Sequence, residues 1–293
     1  MSVLQAIILG IVQGLTEFLP VSSSGHLALI KNIFNVETDG GILFDVLLHV
    51  ATLAAVFAVY YKDLLKIIVE FFGICADCCV NIGRFFKNLS AINRQEYKPI
   101  CTNPYRKLTL MLMISTIPTG IMGVLLDDVV ESVSGNLLIV GLCLLGTGGI
   151  LFVSELVENG SKKQKEANFG DALIAGIGQG FAVLPGISRS GTTITGCLLC
   201  GFDRRFAVKY SFLMSVPAIL GALVLELIKL PGADSTVSVP VAGCIIAMIL
   251  AAVIGFFALK LVNALAVSRR FKPFWIYCLA MGAISIIVFL IKL

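Results

Sequence analysis

Apolar positions along this chain come in long unbroken runs, not in alternating or one-faced patterns. Six runs, over residues 42–61, 108–126, 136–156, 210–230, 240–262 and 273–292, are bounded by polar or turn residues. Each is long enough to cross a bilayer, which takes roughly 20 residues. Two further apolar segments, 1–35 and 170–203, are interrupted centrally by Pro, Gly and Ser. A continuous span would leave backbone groups unsatisfied at such breaks, so each segment reads as a re-entrant hairpin that enters and leaves on one side. Residues 63–86, preceded by Lys62, mix Asp63, Lys66, Glu70, Asp77 and Arg84 with aromatics and aliphatics. That stretch reads as an amphipathic or partly inserted helix. The expected fold class is an all-α polytopic membrane protein with about six transmembrane helices and two re-entrant hairpins, one integral membrane domain over 1–293.

Composition agrees. The 293 residues are 58% hydrophobic and 14% charged, too few charges to cover a soluble domain of this size. The formal charge of +4 fits basic cytoplasmic loops better than nucleic-acid binding, which is not expected. Of nine cysteines, Cys143, Cys197, Cys200, Cys244 and Cys278 sit inside apolar runs. Cys75, Cys78 and Cys79 lack a second pair at zinc-ligand spacing and a nearby His, so they read as small apolar filler. The N-terminus has no basic region and no small-residue cleavage site, so the first helix is expected to remain in the mature protein.

Loop charges orient the spans. Arg84, Lys87, Arg94, Lys98, Arg106 and Lys107 cluster in one connection, and Lys162, Lys163 and Lys165 in a second. Arg204, Arg205 and Lys209 follow the second hairpin, and Arg269, Arg270 and Lys272 precede the last span. All four groups are cytoplasmic by the positive-inside rule. The loops 127–135, with Asp127, Asp128 and Glu131, and 231–239, with Asp234, carry no Lys or Arg and fall outside. The assignment closes if the first hairpin opens outward and the second inward.

That arrangement is an inverted repeat, and the chain repeats itself accordingly. At an offset of 166, "GIVQGLTEFLPVSSSGH" (10–26) falls on "GIGQGFAVLPGISRSGT" (176–192) without a gap. Gly10/Gly176, Ile11/Ile177, Gln13/Gln179, Gly14/Gly180, Ser22/Ser188, Ser24/Ser190 and Gly25/Gly191 are identical. Repeat A would span 1–156 and repeat B 170–293, related by a pseudo-two-fold axis in the membrane plane that brings the two broken segments together.

The polar residues at the breaks carry the candidate chemistry. A half-helix beginning after a break points free N–H groups and its positive dipole end into a cavity. "PVSSSGH" and "PGISRSGTT" supply Gly for close backbone approach and the hydroxyls of Ser22, Ser23, Ser24, Ser188, Ser190, Thr192 and Thr193 as donors, with Gly25 and Gly191 beside them. Arg189 adds a forked cation suited to phosphate oxygens. Two facing anion-binding turns plus an Arg describe a phosphate site. Glu17 is a carboxylate at membrane depth, expensive and by default functional. Blander readings stand beside these. The serines would also let helices pack closely. Arg189 would also snorkel to an interface. His26 alone would be an interior, hydrogen-bonded histidine, but beside Ser23 and Glu17 it reads as an acid–base group. Asp45 and His49, four apart, read either as a local pair or as support for the site. Glu155 and Glu226 lie near span ends and read as solvated. Gln13 and Gln179 read equally as an amide bridge or as substrate contacts.

"QGLTEFLPVSSSGH" and "LPGISRSGTT" resemble the two signature segments of the undecaprenyl-diphosphate phosphatase family, the bacitracin-resistance membrane proteins of bacteria. The matching residues are Gln13, Glu17, Pro20 to Ser24, Gly25 and His26 in the first, and Pro185 to Gly191 in the second. Ser24 stands where some relatives have Thr. Gln13 in place of Glu is an accepted variant that removes one potential metal ligand. The resemblance implies removal of the terminal phosphate from a C55 isoprenyl diphosphate. It further implies recycling of the lipid carrier for peptidoglycan synthesis, bacitracin resistance, a divalent cation, and a site opening to the outer face of the bacterial cell membrane. On this reading Glu17 binds Mg2+ or Ca2+ with the diphosphate, and Arg189 with the Ser188/Ser190 region holds phosphate oxygens. Ser23 is the candidate nucleophile and His26, sharing its helix face, the general base; a metal-activated water with the same base is the alternative. The expected partners are the isoprenyl diphosphate and membrane lipids, with a homodimer left open. Inverted repeats with broken helices are also a transporter design, so a lipid-phosphate flippase or secondary transporter is the competing function.

Overall fold

The computed structural model describes residues 1–34, 41–89, 94–158, 160–229, 240–267 and 271–292. The acidic loop with Asp234, and Arg269 and Arg270, lie outside the described residues. Eleven helices are described: α1 (Val3–Thr16), α2 (Ser23–Ile33), α3 (Gly41–Asn88), α4 (Pro104–Leu125), α5 (Asp127–Ser134), α6 (Leu137–Leu156), α7 (Phe169–Phe181), α8 (Arg189–Leu199), α9 (Arg204–Lys229), α10 (Val241–Val267) and α11 (Lys272–Lys292). Among the described residues the one β-type pairing is an isolated bridge between Lys162 and Phe202. Six helices, α3, α4, α6, α9, α10 and α11, are long and apolar enough to cross a membrane, and the protein is a multi-pass membrane protein.

Both expected breaks are present, and local chemistry sets them. Helix α1 starts on a capping box of Ser2 and Gln5, and α7 on one of Asn168 and Asp171. After each first half-helix the chain turns, and a serine restarts it. Ser22 Oγ accepts from Gly25 N to open α2, and Ser188 Oγ accepts from Gly191 N to open α8.

One expected helix is present and one connection differs from expectation. Residues 63–86 form the expected helix: α3 counts 48 residues because two helical arms meet at a kink, where Tyr60 (φ −113°, ψ 21°) is non-helical. At 1.5 Å per residue the two arms of α3 add to about 72 Å, more than twice the hydrocarbon thickness of about 30 Å, so the arm after the kink lies beyond the span. The polar side of that arm is strapped by the following segment. Asn81 exchanges hydrogen bonds with the Lys98 backbone, Arg84 donates to Glu96 O, and Arg106 bridges Glu70 and Asp77. The opposite stripe, Leu65, Val69, Phe72 and Phe86, stays exposed. The loop expected at 127–135 instead contains the short helix α5, whose first turn carries Asp127 and Asp128 at the positive dipole end.

The helices that carry the breaks are packed across the chain. Helix α1 lies on α10, α7 on α4, and α6 on α11, while α3 packs on both α9 and α10. Missing side chains permit two of these contacts. A Cβ at Gly14 would stand 2.8 Å from Ala251 O, and one at Gly180 would press on Met122 Sδ and stand 3.0 Å from Met122 Cβ. Helix α7 is further fixed to α4 by Ser115 Oγ, which donates to Ala172 O and bonds the buried Tyr210 hydroxyl. The two broken segments thereby meet inside the bundle, each flanked by spans that bury its polar turns.

Candidate active site

The first break runs from Glu17 to Ser22. Val21 N donates to Leu19 O at 2.7 Å, closing a three-residue turn. Ser22 then adopts φ 68°, ψ 95°, a left-handed conformation that a non-glycine residue holds only under constraint. The constraint is visible: the Ser22 carbonyl accepts from both the backbone N and the ring Nδ1 of His26. The second break, 182–188, turns at Gly186 (φ 101°) and is pinned by Thr147, whose hydroxyl donates to Gly186 O and accepts from Ser188 N.

The breaks touch. A Cβ on Gly25 would stand 2.9 Å from Gly186 Cα, and Ser190 Oγ donates to Leu19 O. At this junction the Glu17 carboxylate, 4% exposed, is the hub. Its Oε1 accepts from Arg189 Nη2 at 2.5 Å. Its Oε2 accepts from Ser23 Oγ at 2.8 Å and from Gln13 Nε2 at 2.9 Å, and lies 3.3 Å from His49 Nε2. Ser23 and Arg189 are the first residues of α2 and α8 and fall on each other at the 166-residue offset. Equivalent positions of the two segments thus reach the same carboxylate from two sides.

The other expected site residues lie in and around the two turns. Ser22 and Ser188 are caps whose hydroxyls also lie near Ser24 (3.3 Å) and Ser190 (3.4 Å). Thr193 is turned inward, donating to Arg189 O and bonding Ser211. Gly25 and Gly191 sit against Ser22 and Ser188, respectively, as cap geometry requires. Gln13 and Gln179 do not bridge one another: Gln179 Nε2 donates to Thr119. Among the described residues four buried side-chain atoms have no partner, namely Gln13 Oε1, Gln179 Oε1, Arg189 Nη1 and Thr192 Oγ1. Buried polar atoms are normally satisfied, so each of these is open to a further partner. Two of them, on the first turn of α8, are donors suited to an anion.

The expected pairing of Ser23 with His26 is not made. Side chains on a helix lean toward its N-terminus. Ser23, the first residue of α2, therefore reaches back across the break to Glu17, and His26 reaches back to Ser22. The second ring nitrogen of His26, Nε2, lies 2.7 Å from the Tyr277 hydroxyl. Asp45 and His49 are not a side-chain pair either. Asp45 binds Lys31 (2.6 Å), while His49 Nδ1 donates to Asp45 O and leaves Nε2 facing Glu17. Glu155, expected to be solvated, accepts from Trp275 Nε1. His49, one of whose two readings was support for the site, faces Glu17, and Tyr277 is the site residue that sequence reasoning missed. Each lies in a span, and only packing brings it to the breaks.

A cation would find few ligands of its own. Among the described residues no group of three or more His, Cys, Asp or Glu is placed to hold a metal. The oxygen donors available are the Glu17 carboxylate and the unpartnered Gln13 Oε1. That set fits a hard cation which takes its remaining ligands from substrate phosphates and water, as Mg2+ commonly does.

Comparison with known proteins gives the site its context. The family described as "Bacitracin resistance protein BacA" matches residues 6–284. A protein named undecaprenyl-diphosphatase from Methanosphaera stadtmanae is 39% identical over 288 residues, covering 98% of both chains. One of the same name from Alkaliphilus metalliredigens is 41% identical over 290 residues, and one from Halothermothrix orenii 38% over 290, each covering 98% of both chains. With the family pattern matched over nearly its whole length, and both broken segments inside the match, this chain belongs to the bacitracin resistance protein BacA family.

Proposed function

We propose that this protein is an integral membrane phosphatase that hydrolyses undecaprenyl diphosphate to undecaprenyl phosphate and inorganic phosphate. It would return the lipid carrier to peptidoglycan synthesis and confer bacitracin resistance. The observation that carries this reading is the convergence of Ser23 and Arg189 on one buried carboxylate, Glu17, with two unsatisfied donors on the first turn of α8. A transport site needs no hydroxyl hydrogen-bonded to a carboxylate.

The residues divide the chemistry as follows. Arg189 Nη1, Thr192 Oγ1 and the N–H groups opening α8 take the anionic headgroup. Glu17, already accepting the Ser23 proton in a 2.8 Å hydrogen bond, is the base that activates that hydroxyl. Ser23 Oγ attacks the terminal phosphorus, and its proton passes to Glu17. The bond from phosphorus to the bridging oxygen breaks, and its electron pair leaves with the polyprenyl phosphate. Water then hydrolyses the phosphoserine, releasing phosphate and returning the hydroxyl. Arg189 balances the charge that develops on the phosphoryl oxygens. Mg2+ or Ca2+, held by Glu17 and Gln13 with headgroup oxygens, would neutralise the diphosphate.

The same reading takes 1–156 and 170–293 as halves of an inverted repeat. The reciprocal packing of α1 on α10 and α7 on α4 supports it, with Gly14 and Gly180 at matching positions of the two contacts. Positive loops orient the protein in a bacterial cell membrane with the site toward the outer face. A homodimer is the protein partnership to test by cross-linking in native membranes.

The test is phosphate release from C15 and C55 isoprenyl diphosphates by detergent-purified protein, with and without EDTA. Release that requires a divalent cation and is lost in Glu17→Ala and Arg189→Ala supports the reading. Residual turnover in Ser23→Ala turns the mechanism to direct attack by water. No release by folded wild-type protein overturns the phosphatase and revives a flippase.

A further inference from the structure

The His26 ring has both nitrogens committed. Nδ1 lies 2.7 Å from the carbonyl of Ser22, which only accepts, so Nδ1 carries a proton. In the neutral ring Nε2 is then the lone-pair nitrogen, and it lies 2.7 Å from the hydroxyl of Tyr277. The phenol must donate. The two rings are nearly parallel, 6° apart with centroids at 5.4 Å, a geometry that brings the phenol oxygen alongside the imidazole edge. Tyr277 belongs to α11, the last span, 251 residues from His26. A second contact ties the same stretch of α11 to the first break: Cys278 Sγ donates to Pro20 O.

We infer that Tyr277 is a positioning residue for the reaction. Its hydroxyl fixes the tautomer and the plane of His26, and through them the left-handed Ser22 turn from which Ser23 projects. Ser22 holds φ 68° against steric preference, and the ring of His26 restrains it together with the His26 and Gly25 backbone N–H groups. Without the phenol donor the imidazole is free to rotate about its χ angles or to move the proton to Nε2. Either change removes the Nδ1 donor from the Ser22 carbonyl. Ser23 would then lose the alignment that holds it on Glu17. The inference rests on the phosphatase reading for its kinetic consequences. The hydrogen bond itself can be tested without activity.

The variant is Tyr277→Phe, which keeps the ring on α11 and deletes one oxygen. The chain contains only two histidines, so 15N-labelled histidine gives a spectrum with two imidazoles, assigned through His26→Ala. In wild-type protein His26 should show a protonated Nδ1 and a hydrogen-bonded, unprotonated Nε2. In Tyr277→Phe that Nε2 resonance should move downfield or exchange between tautomers, while His49 stays in place. Kinetically, kcat for isoprenyl diphosphate should fall about tenfold or more while KM changes less than about twofold. In a His26→Ala background the same change should cost nothing further, because a residue that acts through His26 has nothing left to position. An unmoved His26 spectrum overturns the inference. So do wild-type kinetics in Tyr277→Phe, or losses that multiply in the double variant, which would make Tyr277 a headgroup contact. A wild-type protein without phosphatase activity sinks the functional reading instead, and the spectrum still decides the bond.

Discussion

Replacing Gly25 by Ala tests whether the two breaks are as closely joined as the structure has them. The added Cβ would stand 2.9 Å from Gly186 Cα, about 0.5 Å inside the 3.4 Å at which ordinary contact begins. It would also stand 3.2 Å from Ser22 Oγ. The neighbour is backbone and cannot rotate away. Nor can it retreat, because a Cβ on Gly186 would itself stand 2.5 Å from Val140 O of α6. The start of α2 must therefore move by about 0.5 Å or more relative to α8. Ser23 moves with it, and its 2.8 Å bond to Glu17 stretches toward the limit of a hydrogen bond. Overpacking of this kind costs about 1–3 kcal/mol of stability. A misplacement approaching 1 Å between reacting groups costs up to about 10²-fold in rate. The assay is phosphate release beside thermal unfolding in detergent, with Gly149→Ala as control, since nothing lies within 4 Å of a Cβ there. Gly25→Ala should lose about 10- to 10²-fold in turnover and unfold at lower temperature, while the control does neither. Wild-type turnover in Gly25→Ala would refute the claim that this contact sets the site.

Three further outcomes are expected. Glu17→Gln should lose about 10²–10⁴ in kcat, measured as phosphate release, because the base is gone while the shape remains. Arg189→Lys preserves the charge but not the fork, so the donor left unpartnered at Nη1 has no counterpart; kcat/KM should fall about 10²–10³-fold. Tyr210→Phe removes the hydroxyl by which α9 bonds Ser115 and Met111 O of α4, beside the contact of α4 with α7. It should cost about 1–3 kcal/mol in thermal or chemical unfolding while the site chemistry is retained in whatever protein stays folded.

Much of this arrangement is legible in residue order because a membrane narrows what a chain can do. An apolar run near twenty residues has to be a helix, and a Pro-Gly-Ser interruption inside one has to be buried against protein. Hence the six spans, the two breaks and the pairing of Gly10 with Gly176 or Ser22 with Ser188 are visible before any coordinates. So is the selection of Glu17 and Arg189, since ionisable groups at such depth are costly unless paired. Other features were hidden for identifiable reasons. Helical spacing put Ser23 and His26 on one face, yet both sit within the first turn, where side chains lean back over the break. The helix over 63–86 was legible from its mixed charges, but the strap of 94–103 and Arg106 that satisfies those charges was not, because contacts distant in the chain fix it.

The sequence by itself determined the class of protein, the number and place of its spans, the two broken segments and the residue types at their turns. These follow from local chemistry: transfer free energy, backbone satisfaction and the conformational demands of Gly, Pro and Ser. Tertiary structure alone decided which oxygen of Glu17 meets Ser23 and which meets Arg189. It also brought His49 from α3 and Tyr277 from α11 to the junction, and left Arg189 Nη1 and Thr192 Oγ1 without partners. Those outcomes depend on how helices far apart in the chain pack, and no local pattern encodes a distance between them.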